Sequence, residues 1–120
     1  MTKYQVSVLF NEGPGRFSEF RGGTDKLVLG PVIELEANST DAALDLAWKI
    51  GNKMTDPEDY PRNVRSVSSG DVFHVQDTGD NGPDGFGPFF AVAWVDFLPV
   101  SPEAIAASLV MGRPFDRRLV

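Results

Sequence analysis

Tyr4-Gln5-Val6-Ser7-Val8-Leu9-Phe10 decides the fold class. Tyr4, Val6, Val8 and Phe10 share one parity, with Gln5 and Ser7 between them. That period of two is the pattern of a strand with one face on a core. Asn11-Glu12-Gly13-Pro14-Gly15 ends it with turn-forming residues. Working outward, Leu27, Leu29, Ile33, Leu35 and Ala37 repeat the alternation within residues 26–37, with Glu34 and Glu36 on the other parity. Gly30-Pro31 interrupts this second strand, and because proline lacks a ladder donor the interruption predicts a bulge, a bend or an edge position. Between the two, Phe17-Ser18-Glu19-Phe20-Arg21 marks a candidate short edge strand.

The period changes after Ala37. Asn38, Ser39 and Thr40 are candidate caps, and Asp41 places a negative charge where a helix dipole favours it. Residues 41–52 form the predicted first helix, with Ala43, Leu46, Ala47, Ile50 and Met54 on one stripe, widened by Leu44 and Trp48. Asp45 and Lys49 make an i,i+4 pair, and Gly51 or Asn52 supplies a left-handed stop. Residues 56–61 are an acidic, proline-containing loop. A third strand follows at Val72-Phe73-His74-Val75-Gln76.

Residues 77–88 read as a long hairpin connection, and residues 89–98 as a nearly continuous apolar return strand, the pattern of a central strand covered on both faces. Ser101-Pro102-Glu103 opens a second helix expected to run to Met111 and stop at Gly112. The order β-β-α-β-β-α predicts a single-domain α+β fold, an antiparallel sheet of about four strands with the first helix packed on one face. The domain is expected to span residues 1–112, followed by a basic C-terminal tail at 113–120.

Composition narrows the chemistry. The chain has 120 residues, no cysteine, one histidine and a net charge of −6. That excludes disulfides and thiol chemistry and argues against direct nucleic-acid binding. No apolar run approaches the ~18 residues of a membrane span, and the start shows no signal-type segment, so a cytoplasmic protein without membrane contact is expected. The charge is uneven: residues 113–120 carry Arg113, Arg117 and Arg118 against Asp116, leaving 8 bases and 16 acids in the preceding 112 residues.

Few residues form a chemical constellation. Asp77, Asp80, Asn81 and Asp84 gather oxygen ligands, but counting twelve positions from Asp77 or Asp80 meets Pro88 or Ala91 where a calcium loop needs a bidentate Glu. Asp77, Asp80 and Asp84 therefore stand only as weak metal candidates beside the reading of a solvated hairpin loop. His74 shares parity with Val72 and Gln76, and faces solvent if Phe73 and Val75 face the core. No G-x-S-x-G elbow accompanies it. Gly13-Pro14-Gly15-Arg16 and Gly22-Gly23-Thr24 match neither phosphate-loop pattern and read as turns. No catalytic, cofactor or metal site is assigned, and no cofactor is expected.

Partner-binding candidates are Phe86, Asp80 and Asp84 in the hairpin loop and Arg113, Phe115, Arg117 and Arg118 in the tail. The tail is read either as docked, on this chain or a partner subunit, or as frayed. Gly70 and Asp71 read as a structural turn, with Gly70 at positive φ and Asp71 bonding the turn's own amides.

The segment Arg65-Ser66-Val67-Ser68-Ser69-Gly70-Asp71-Val72 resembles the R-S-L-S-x-G-D-V segment of small accessory proteins encoded by actinobacteria, their plasmids and their phages. Val67 stands where Leu is usual. The order of elements over residues 1–98 is similar as well. The resemblance implies no catalytic residues. It implies an accessory protein of a phage or mobile element. Small size, the lack of a catalytic constellation and the acidic charge, taken with it, lead to the expectation of a protein that is not an enzyme and acts through a host or self protein partner, with a homodimer as one form. An acidic DNA mimic of the anti-restriction kind and a small ligand-binding domain are the alternatives.

Overall fold

The computed structural model describes residues 2–15, 17–77, 87–93 and 96–114, the last five by backbone alone. Six strands form one sheet in the order β5-β4-β3-β1-β2-β6. The opening stretch becomes its centre: β1 (Thr2–Asn11) pairs antiparallel with β2 (Leu27–Ala37) on one side and β3 (Val72–Asp77) on the other. The strands β4 (Phe89–Val92) and β5 (Phe97–Val100) continue the antiparallel pairing. The last strand, β6 (Leu109–Pro114), runs parallel to β2. The fold is α+β, with five antiparallel strands where the sequence suggested about four and a sixth that joins in parallel.

The interruption at Gly30-Pro31 is a bulge. Ser7 faces Val32 and Leu9 faces Leu29, so two residues of β2 oppose Val8 alone. The extra residue reverses parity. Ile33, Leu35 and Ala37 lie in the main core, but Leu27 turns to the opposite face and Val28 takes its place. The sequence alternation placed Leu27 with Ile33, and the bulge overturns that.

Helix α1 (Thr40–Gly51) is capped by Ser39, whose hydroxyl accepts from the Ala42 amide at 3.2 Å. Its Ala43, Leu44, Ala47 and Ile50 meet Tyr4, Val6, Leu35 and Phe73 in the main core. The left-handed residue after α1 is Lys53 (φ 61°), not Gly51 or Asn52. Gly51 serves packing instead: a Cβ there would come 2.5 Å from a Val67 methyl. Met54 is exposed and leaves the predicted stripe. The Asp45–Lys49 pair forms at 3.1 Å on the exposed side.

The opposite face carries a smaller core of Leu9, Phe20, Leu27, Val72, Ala91 and Ile105. Helix α2 (Pro102–Ser108) closes it. The helix stops at Ser108 and not at Met111, because Leu109 turns extended to pair with Leu27 and the Ser108 hydroxyl accepts from the Gly23 amide at 2.8 Å. The apolar run at 89–98 is also not one central strand. The Ala93 amide donates to the Asp96 carbonyl at 2.9 Å, and the chain returns as β5, an edge strand that tolerates Pro99. Residues 17–21 form no strand: Phe17 sits at φ 66° in a turn.

Candidate functional site

The Gly70-Asp71 turn folds as read, and around it lies the most connected polar cluster among the described residues. Gly70 has φ +94°, and a Cβ there would collide with the Gly15 carbonyl oxygen, so both conformation and space call for glycine. Asp71 is buried, and Arg65 holds it with two bonds, Nη1 to Oδ2 at 2.9 Å and Nη2 to Oδ1 at 2.8 Å. The amides of Asn11 and Ser68 donate to the same carboxylate at 2.8 and 2.9 Å. The Arg65 guanidinium lies 4.1 Å over the Phe10 ring. With the Ser68 hydroxyl at 3.5 Å, five donors engage the two oxygens of Asp71, which leaves little acceptor capacity for a substrate. The cluster ties the end of β1 to the start of β3.

Two neighbours extend it. Tyr60 is buried and donates its hydroxyl to the Arg65 carbonyl at 2.9 Å. Burial pushes its phenol well above the usual range, the Asp71 charge adds to this, and the Arg65 charge opposes it. Asp25, also buried, accepts from the amides of Gly15 at 2.6 Å and Arg21 at 2.7 Å. Burial pushes its carboxyl up, but these amides, the Asn11 side chain and the Arg21 charge outweigh it and hold it below the ordinary value.

The accessible feature is elsewhere, along β2. β6 pairs with β2 only at Leu27 and Leu29, so residues 32–37 form a sheet edge with no neighbouring strand among the described residues. Val32, Glu34 and Glu36 project from one side of that edge and are exposed; Ile33, Leu35 and Ala37 project from the other and are buried. An open groove of about 540 Å³ runs beside the edge on the helix side. Leu35, Leu46, Ile50 and Thr55 line its floor, and Glu34, Glu36, Glu58 and Asp59 its rim. A second hollow of about 350 Å³, lined by Lys3, Gln5, Glu34 and Glu36 among others, follows the same edge. Next to it, the sheet face away from α1 carries a cross-strand row of Val32, Ser7, His74 and Phe89. His74 is half-buried there and stacks on Phe89 with centroids 4.2 Å apart, so it does not simply face solvent.

The residues singled out from sequence fare unevenly. Gly70 and Asp71 take their predicted structural roles. Asp77 ends β3 and is exposed. Asp80, Asp84, Phe86, Phe115, Arg117 and Arg118 lie outside the described residues, and of Arg113 the backbone alone is described, in β6. No group of three or more potential metal ligands occurs among the described residues. Nor is any helix there long and apolar enough to cross a membrane. Sequence reasoning missed the acidic edge of β2. Its signals were present in Glu34 and Glu36 and in Pro31, but the convergence of Glu58 and Asp59 depends on where α1 deposits the loop after it.

No protein family, no curated protein and no solved structure matches this chain.

Proposed function

We propose that this protein is a non-enzymatic accessory protein of a phage or mobile element, acting by protein–protein interaction through the β2 edge at residues 32–37 and the adjoining sheet face away from α1. The observation that carries the reading is the edge itself. Among the described residues no second strand pairs with 32–37, which include the exposed Val32, and natural sheets generally cover, charge or use such an edge. The Arg65–Asp71 cluster supports it from the other direction, since it spends its polar capacity on the fold.

Affinity capture from an actinobacterial lysate tests this. The wild-type chain should retain a discrete partner that the Ser7→Arg/Gln76→Arg double variant, altered on the sheet face away from α1, loses while unfolding at the same temperature. A strictly monomeric chain that retains nothing would sink the reading.

A second reading, an acidic mimic of DNA, draws on the rim of Glu34, Glu36, Glu58 and Asp59 around one groove. Binding to a basic host protein that DNA displaces and that falls steeply with salt would favour it.

A further inference from the structure

We infer that the β2 edge beyond Pro31 is covered by this chain's own residues 115–120, which carry β6 on along it as a strap that a partner must displace. The strap stands on direction, reach and side-chain pattern; its gating role rests on the protein-binding reading.

β6 runs parallel to β2, and Pro114, its last residue, pairs with Leu29. The next six residues therefore start beside Gly30. Extended at about 3.3 Å each, they cover about 20 Å and draw level with Leu35. A segment already held at Pro114 meets the edge at an effective concentration on the order of millimolar, an advantage over any separate chain.

The segment reads Phe115-Asp116-Arg117-Arg118-Leu119-Val120. Neighbours on an extended strand project to opposite faces, so Arg117 and Leu119 would share one face and Arg118 and Val120 the other. Each face thus receives one arginine and one aliphatic side chain in any register. The edge offers the matching set on each face. Away from α1 it presents Val32 and Glu34. On the helix side the groove has Leu35, Leu46 and Ile50 on its floor and Glu58 and Asp59 at its rim. Lys3 sits across from Glu36, so Glu34, which faces Gln5, is the carboxylate left for an arginine on the first face. No described positive side chain lines the helix-side groove, where the other arginine would meet Glu58 and Asp59. A second copy of β2 on this edge would instead set Glu34 and Glu36 against their own kind, and like charges across a strand pair destabilise it.

Amide exchange on the full chain and on a chain ending at Pro114 tests the strap. Residues 32–35 should exchange about tenfold more slowly in the full chain, at every protein concentration. The Arg118→Leu/Leu119→Arg variant keeps composition and charge but puts both arginines on one face, and it should lose that protection. Arg117→Glu/Arg118→Glu should lose it too. Equal exchange in the full and shortened chains would overturn the strap. So would protection that grows with protein concentration, or full protection in the Arg118→Leu/Leu119→Arg variant. The shortened chain should also retain a lysate partner more strongly than the full chain, and equal or weaker retention would remove the gating role. If neither chain retains a partner, the protein-binding reading falls and takes the gating with it, while exchange alone decides the strap.

Discussion

At the scale of single residues, Asp71 carries more of the fold than any other polar group described. Asp71→Ala would strand the Arg65 guanidinium and two amides, those of Asn11 and Ser68, that now share one carboxylate. Removing one partner of such a buried pair costs about 3–5 kcal/mol, and Asp71→Asn, which keeps an acceptor oxygen, should cost less. Urea unfolding of the two variants checks the order; a loss under about 1 kcal/mol for the alanine variant would mean the cluster is only decoration. Tyr60 adds a pH dependence. Its phenol is raised in the folded state, so its contribution is fully present below the ordinary phenol value near 10 and is lost as pH rises beyond it. The stability gap between wild type and Tyr60→Phe should thus hold steady from neutral pH to about 10 and narrow above it. A gap that widened there would contradict the burial assigned to this ring. Much of this scale was legible beforehand: Gly before Asp at a strand entry already implies positive φ and a local cap. Arg65 as Asp71's partner was not, because the five residues between them form an irregular turn whose path no periodicity encodes.

At the scale of elements, the Gly30-Pro31 bulge matters most. It lets one strand serve two cores, with Ile33 and Leu35 toward α1 and Leu27 toward α2. Deleting Pro31 would restore plain alternation and drive either Leu27 and Val28 or Ile33 and Leu35 to the wrong faces. The deletion should abolish a cooperative melt by circular dichroism, whereas Pro31→Ala should stay within about 1 kcal/mol of wild type. A deletion variant that melts within a few degrees of wild type would show the parity switch to be dispensable. The sequence announced an interruption here without saying which face each flank would take. A bulge is visible as Gly-Pro, but its parity shows only once the partner strand is known. The apolar run at 89–98 misled for a related reason: hydrophobicity does not report where a strand ends, and among its described residues Ala91 and Val92 of β4 are buried whereas Leu98 of edge strand β5 is exposed.

At the scale of the whole molecule, the α+β class and helix α1 were readable because alternation and a capped 3.6-residue period are local signals. The sixth strand was not, since a parallel partner for β2 arriving from the far side of the sheet has no local signature. That arrival shapes the molecule. Consecutive strands β5 and β6 occupy opposite edges, so the chain from Val100 to Leu109 must cross from one edge to the other. Six strands laid flat would hold those edges about 24 Å apart. A short extended lead and the seven-residue α2 reach only about 20 Å. The sheet cannot lie flat beneath such a connection. Helix α2 acts as a bowstring, and its length sets how far the sheet bends toward it.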